Sequence, residues 1–425
     1  MLKATRAILN VIVALFIVAL LALLITGGYS VELMGLKISS NSILPVASGL
    51  IVGILLRVAV AIGPAMSALV AVSSIFALGL VEFALRVLNL PLAQPALTQI
   101  HRGSDIYGYE LIPDTRGVGT LGENISINSL GMRNETVSSL PNRKAIAMLG
   151  DSFTFGMGVE LAQTFTKQLQ SQLSGQGDSV DVLNFGVIGY QLWQYLELLD
   201  RRVPGHDVNL VIVALFMDDI ISPLPPETLI ARNPFAEQRS DKFDRLYLWN
   251  MLRNISTRLD TRYRYQRGHD YLLGIQERKA YIGGRKADHS YYKAQTGQLD
   301  GTIYADLGTA IRRLANWSRQ HHIPLLAALI PDASQLNEPD RQDVNRRLAD
   351  LMEAVNLPFL DLTPAFEAQR DPQSLFLFPL DAHTSPQGHR LIARQLADHD
   401  LVRSVVTGNM IENNQTPINT PVGAH

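Results

Sequence analysis

Residues 145–156 read Ala-Ile-Ala-Met-Leu-Gly-Asp-Ser-Phe-Thr-Phe-Gly. The apolar run Ala145–Leu149 has the length of a strand, and Gly150-Asp151-Ser152 breaks it. The same texture recurs downstream. Further strands are predicted at Val180–Phe185, Leu210–Phe216, Pro324–Ile330 and Phe359–Leu362. Between them lie helical patterns at Leu161–Leu173, Tyr190–Arg201, Thr302–His321, Asp340–Val355 and Pro386–Asp398. Strands that alternate with helices imply parallel strands joined by crossover helices, in a three-layer α/β/α sandwich with a parallel sheet. Ligands of such sheets bind at the carboxyl ends of the strands. Chemistry is therefore expected just after each strand.

Ser152 lies on the first such turn, where glycines allow its hydroxyl and neighbouring N–H groups to meet a substrate and favour developing negative charge. An ordinary Asp/Ser turn is the plain alternative. The surroundings match neither a G-x-S-x-G elbow nor a phosphate loop, since no Gly-Lys-Ser/Thr follows. The second turn, Asn184-Phe185-Gly186-Val187-Ile188-Gly189-Tyr190, offers glycine N–H groups free of side-chain obstruction, or else tight strand–helix packing. The third follows Leu210–Phe216 and reads Met217-Asp218-Asp219. Near the C-terminus stands Asp381-Ala382-His383-Thr384-Ser385-Pro386-Gln387-Gly388-His389. A serine hydroxyl needs a base. His383 can serve, and Asp381, two residues away, can fix its tautomer.

Taken in order, these blocks resemble the SGNH (GDSL-like) hydrolase superfamily in its membrane-anchored bacterial form, over about residues 141–400. Asp105–Asn134, with Gly108-Tyr109, Pro113 and Asn128-Ser129-Leu130-Gly131-Met132-Arg133, resembles the segment that precedes the catalytic domain in anchored members. The resemblance implies a flavodoxin-like α/β fold and catalysis by Ser152 as nucleophile, His383 as general base and then acid, and Asp381 as its orienter. It also implies an oxyanion hole from the N–H groups of Ser152 and Gly189. Family members complete that hole with Asn in a Gly-x-Asn-Asp block; here Phe216-Met217-Asp218-Asp219 stands instead. An ionised Asp218 presents acceptors where a donor is required. The activity then rests on Asp218 being protonated by burial, on another donor such as Asn184, or is slowed or lost.

The rest of the chain supplies the setting. It has 425 residues, 37 Lys+Arg against 39 Asp+Glu, and no cysteine. The last excludes disulfides, thiol catalysis and thiolate metal sites, and the balanced charge argues against general nucleic-acid binding. Charge is sparse in residues 1–90: only Lys3, Arg6, Glu32, Lys37, Arg57, Glu82 and Arg86. Three spans are expected, at Ala7–Thr26, Ile43–Ile62 and Met66–Leu88, the alternative being one anchor plus a buried apolar hairpin. The first is longer than a signal-peptide core and lacks a small-x-small cleavage site. With Lys3, Arg6 and Arg57 cytoplasmic, an odd number of spans delivers residues 91–425 to the opposite face of a bacterial inner membrane. The long soluble part argues against a pure transporter or channel.

The expected organisation is an anchor at 1–90, a linker and N-terminal extension at 91–140, a hydrolase-like domain at 141–405 with an insertion at 220–300, and a disordered tail at 406–425. Within the insertion, Arg239–Lys286 holds twelve Lys/Arg and five Asp/Glu, with Tyr247, Trp249, Tyr263, Tyr265, Tyr271 and Tyr281. Leu246, Trp249, Leu252, Ile255 and Leu259 recur at helical spacing. They predict a helical lid whose apolar face packs on the domain with its charges solvated; a segment lying on anionic headgroups or gripping an anionic glycan is the alternative. The functional expectation is an anchored serine esterase or O-acyl (acetyl) transferase on ester groups, with an envelope or exported polysaccharide as substrate. The alternative is a non-catalytic glycan-binding or assembly protein on the same fold. The lipid bilayer and an acyl ester are the expected partners, nucleic acid is not, and no metal or organic cofactor is expected.

Overall fold

A computed structural model describes residues 2–26, 29–33, 36–40, 43–135, 143–174, 180–226, 228–237, 242–266, 289–378 and 380–408. The chain opens with helix α1 (Leu2–Thr26), a hairpin of β1 (Tyr29–Leu33) and β2 (Leu36–Ser40), then α2 (Ile43–Ile62) and α3 (Pro64–Leu88). Lys3–Ala22 and Pro64–Leu88 are long and apolar enough to cross a membrane; the apolar part of the middle helix, Val46–Ile62, is shorter. The expected middle span, Ile43–Ile62, is thus a helix of lesser apolar length. Arg57, expected only to reach towards headgroups, donates to Asn10 Oδ1 at 2.8 Å. The β1–β2 hairpin was not foreseen.

Residues 91–135 form more than a linker. A 3₁₀ turn at Pro91–Ala93 leads into two hairpins, β3 (His101–Ser104) with β4 (Gly108–Leu111), and β5 (Arg116–Val118) with β6 (Asn124–Ser126). Leu97, Ile100, Tyr107, Leu111, Ile125, Ile127 and Met132 join the same apolar core as the sheet. Strands of three or four residues are too short to show an alternating pattern, so this packing has no periodic signature.

The central sheet contains β7 (Lys144–Leu149), β8 (Val180–Asn184), β9 (Leu210–Leu215), β10 (Leu325–Leu329) and β11 (Phe359–Asp361). Their order is β11-β10-β9-β7-β8, all parallel. All five predicted strands are present. β8, β9 and β10 are buried along their whole length, as strands covered on both faces must be. Order reverses between β7 and β9, so the crevice for a ligand opens above their carboxyl ends.

The connections are α4 (Ser152–Phe155), α5 (Phe165–Ser174), α6 (Leu192–Arg201), α7 (Met217–Ile221), α8 (Pro234–Glu237), α9 (Tyr247–Gln266), α10 (His289–Gln295), α11 (Gly301–His321), α12 (Asp343–Glu353), α13 (Thr363–Glu367), α14 (Pro386–Asp398) and α15 (Asp400–Thr407). α5 packs on α14 and α14 on α13, while α6 packs on α11 and α11 on α12. These two groups are the outer layers. Caps set their ends: Asp300 accepts from Thr302 N at 2.9 Å, and Ser385 from Gly388 N at 3.3 Å with Pro386 following. Caps of this kind satisfy N–H groups that a helix start leaves open.

Three further expectations are corrected. The helix of the insertion exists as α9, but Leu246, Leu252, Ile255 and Leu259 are exposed and do not pack on the domain. Tyr271 and Tyr281 fall outside the described residues. The insertion ends before 300, because Ala294 and Gln295 of α10 are fully buried. The domain does not end at 405: α15 continues to Thr407 with Val406 buried, and residues 409–425 of the expected tail fall outside the described residues.

One buried cation ties the extension to the domain. Arg133 is fully buried; its guanidinium donates to the carbonyls of Phe155 (3.1 Å), Gly156, Val159 (2.7 Å) and Asn124 (3.3 Å). Burial holds its pKa down at about 10, opposed by the nearby Glu123 carboxylate. Glu123 in turn accepts from Gly158 N at 2.8 Å. Arg133→Met leaves these carbonyls without their donor and Glu123 without its counter-charge. It is expected to destabilise the protein by roughly 3–5 kcal/mol, read as a lowered thermal midpoint of the detergent-solubilised chain. An unchanged midpoint contradicts the clamp.

Candidate active site

The carboxyl end of β7 passes through Gly150 into Asp151, which caps α4: its Oδ1 accepts from Phe153 N at 2.8 Å. Ser152 is therefore the first residue of a short helix, its side chain largely shielded. On the far side of the crevice, residues 375–378 and 380–385 lie against one another. Leu377 N donates to His383 O at 2.8 Å, and Ser385 N to Leu375 O at 2.8 Å. This bend carries Asp381 and His383 to the nucleophile loop across 231 positions of sequence.

His383 Nε2 lies 2.6 Å from Ser152 Oγ. His383 Nδ1 is hydrogen-bonded to Asp381 Oδ1, which also accepts from the His383 backbone N–H at 2.9 Å. Two bonds to one carboxylate oxygen fix the ring, and donation by Nδ1 leaves Nε2 free to accept the serine proton. Burial raises the pKa of Asp381, but the bond and charge of His383 outweigh it and hold the carboxyl below its ordinary value. Phe153 packs on the His383 ring at 4.7 Å and on Phe216 at 4.2 Å, covering this face of the imidazole.

The second turn is pinned to the first: Phe185 N donates to Met148 O at 2.9 Å and Val187 N to Gly150 O at 3.2 Å. Gly186 must be glycine because a Cβ there would sit 2.4 Å from Phe155 N. Gly189 has φ +76°, a left-handed conformation that side chains resist. Among the described residues, the N–H groups of Ser152 and Gly189 donate to no acceptor, so both are available to an incoming oxyanion.

Two ways of completing the hole fail. Asn184 is fully buried, and its amide donates to Thr154 O at 2.9 Å and Thr166 Oγ1 at 3.2 Å while its oxygen accepts from Gly186 N. It shapes the turn. Asp218 is exposed, not buried as that expectation required. Its neighbour Asp219 is the buried one, accepting from Phe216 N at 2.8 Å. Burial pushes Asp219 well up, with Asp151 adding to the rise. Burial likewise pushes Asp151 up to about 7, although the Phe153 N–H and His383 pull it down.

Two features escaped the sequence reading. Tyr109, from β4, donates to Ile188 O at 2.9 Å, and its hydroxyl oxygen lies 2.8 Å from where a Gly189 Cβ would stand. Its own carbonyl accepts from Tyr190 Oη at 2.6 Å. No spacing rule joins positions 80 residues apart. The burial of Asp151 had a signal, since it is flanked by apolar Ala145–Leu149 and by Phe153 and Phe155. His389, by contrast, is structural: it is fully buried, accepts from Phe165 N at 3.1 Å, and burial holds its pKa down at about 3. Beside Gly189 opens a cavity of about 460 Å³ lined by Tyr107, Tyr109, Gln191, Trp193, Leu229 and Arg232, among others. Among the described residues no group of three or more His, Asp or Glu is placed to hold a metal.

The GDSL-like Lipase/Acylhydrolase family model matches residues 148–391, more than half of the chain. The chain belongs to this family. Its GDSL-like domain therefore places the protein among hydrolases that act on esters. Solved structures similar to this chain include the following. A lipase/acylhydrolase from Enterococcus faecalis is 15% identical, with 60% of this chain and 95% of that chain covered and a TM-score of 0.32. An acetyl xylan esterase from Geobacillus stearothermophilus is 14% identical, with 62% and 94% covered and a TM-score of 0.35. The psychrotrophic esterase EstA from a Pseudoalteromonas species is 11% identical, with 60% and 95% covered and a TM-score of 0.33. No curated protein matches the chain.

Proposed function

We propose that this protein is a membrane-anchored serine esterase or O-acyl transferase, working through an acyl-enzyme on Ser152. The contact of His383 Nε2 with Ser152 Oγ at 2.6 Å carries the reading. Ser152 Oγ attacks the ester carbonyl as His383 takes its proton. The tetrahedral oxyanion is held by the N–H groups of Ser152 and Gly189. Collapse breaks the C–O bond, and His383 returns the proton to the leaving alkoxide. Water or a second hydroxyl, deprotonated by the same ring, then releases the acyl group. Asp381 remains ionised and steadies the imidazolium.

The anchor is supported by Lys3–Ala22 and Pro64–Leu88, and the catalytic domain is assigned to the outer side of a bacterial inner membrane. O-acetyl groups of an envelope or exported polysaccharide are the proposed substrate. Support comes from the membrane setting and from the aromatic and amide side chains of Tyr107, Trp193 and Gln191 beside Gly189. Release of acetate from an acetylated polysaccharide by the full chain, lost with Ser152→Ala, tests it.

A second reading, a glycan-binding protein without catalysis, is favoured by the exposed carboxylate of Asp218 where a donor amide is expected. Asp218→Asn decides between them. It should raise aryl-acetate turnover by about tenfold or more, because one correctly aimed donor is worth roughly 10²–10³. A rate that stays flat at zero in both proteins supports binding without chemistry.

A further inference from the structure

Helix α9 is amphipathic in the reverse sense of a soluble surface helix. Such helices turn their apolar stripe to the core and their polar side to water. Among the described side chains of α9, residues 247–259, the two that are buried are polar, Asn250 and Asn254. Asn254, 5% exposed, donates to Leu92 O at 2.9 Å and Gln94 O at 2.8 Å. Arg258 donates to Gly122 O at 2.8 Å, and Asn250 is 1% exposed. The residues turned outward are Leu252 (44% exposed), Ile255 (37%) and Leu259 (53%), one stripe at i, i+3 and i+7. Phe243 and Leu246 extend the apolar surface ahead of the helix.

The start of α9 is bonded to the candidate span α3. Glu82 accepts from Tyr247 N at 3.0 Å and Leu248 N at 2.8 Å, occupying two of the N–H groups a helix start leaves open. Arg86, paired with Glu82, donates to Arg245 O at 2.6 Å and lies over the Tyr247 ring at 5.1 Å. On α3 itself Phe83 and Val87 are exposed. The apolar surface of the span thus continues onto the outward face of α9 at the end where α3 leaves for the domain.

We infer that α9 lies on the bilayer surface with Leu252, Ile255 and Leu259 immersed at the level of the acyl chains. It thereby sets the catalytic domain at a fixed attitude to the membrane. An exposed apolar stripe in water is costly; laid into the interface it becomes favourable, and the polar side is already satisfied by the protein. The bilayer is chosen over another protein because the stripe is continuous with a surface that lipid covers if α3 spans. The inference rests on that proposed anchoring.

The chain has no cysteine, so single-cysteine nitroxide variants of the full-length protein can be read without background. The labels are Leu252→Cys, Ile255→Cys and Leu259→Cys, with Phe76→Cys on α3 as lipid reference and Gln320→Cys on α11 as water reference. In single-copy phosphatidylcholine/phosphatidylglycerol nanodiscs, the three α9 labels should favour oxygen over a water-soluble nickel complex several-fold more than Gln320→Cys. If Phe76→Cys reads lipid while the α9 labels read water, the interfacial helix is overturned and the anchor stands. If Phe76→Cys also reads water, the anchoring fails and takes the inference with it. Labels hidden from both reagents, with spin–spin broadening between copies in larger discs, would assign the stripe to a second copy and overturn lipid docking.

Discussion

Ser152→Ala removes fluorophosphonate labelling and lowers aryl-acetate turnover by about 10³-fold or more. The magnitude follows from what is lost. Without Oγ no acyl-enzyme forms, and His383 is left with a water molecule to activate. The oxyanion donors and the cavity beside Gly189 are untouched, so substrate affinity should change little and a small residual rate can survive. The loss belongs to turnover, with KM nearly constant. Ser152 sits against His383 by its hydroxyl alone, and α4 keeps its cap from Asp151, so the variant should fold with an unchanged thermal midpoint. Equal labelling of wild type and variant would mean that another residue is the nucleophile, and the proposed mechanism would fall.

Asp381→Asn is expected to cost roughly 10²–10⁴ in turnover. The carboxylate accepts from His383 twice, at the ring and at the backbone. An amide can keep the backbone bond through its oxygen, yet its NH₂ offers donors where the ring nitrogen must donate. The imidazole is then drawn into the tautomer that carries its proton on Nε2, facing Ser152, where it cannot accept. The positive charge that develops on the ring also loses its counter-ion. Fluorophosphonate labelling should slow in parallel with turnover, since both need the same proton transfer. A variant with wild-type labelling rate would show that the ring is oriented by other means, and would reduce Asp381 to a structural turn residue.

The sheet and the meeting of Ser152, His383 and Asp381 were legible because each carries a local signal. β7 to β11 are short, mainly apolar runs of three to six residues; Ser152 and Gly189 lie in the turns after β7 and β8, and Asp381 and His383 stand just before α14. Pairing Asp381 with His383 needed only a separation of two. Other features depend on what stands opposite in space. The burial expected at Asp218 belongs instead to Asp219, one position along, because α7 turns one side chain to solvent and the other to the core. Asn184 looked like a free donor until Thr154 and Thr166 were placed beside it. The stripe of α9 was correct as a period, but a period does not state which face meets the protein. Tyr109 reaches Gly189 through a hairpin whose strands are four residues long, below the length at which alternation becomes visible.

The Arg133 clamp bears on where this protein can be cut. The family match begins at residue 148, and a fragment started there would hold every reacting group of the mechanism. It would nevertheless leave behind the side chain whose four bonds gather the carbonyls of Asn124, Phe155, Gly156 and Val159. The Ser152 turn would then keep only the last two residues of β7, with its outer rim open to water. The smallest autonomous version of this enzyme is accordingly longer than its homology boundary. A fragment that begins near Leu97, the first residue of the extension in the core cluster, is expected to keep the clamp that one begun at 148 loses.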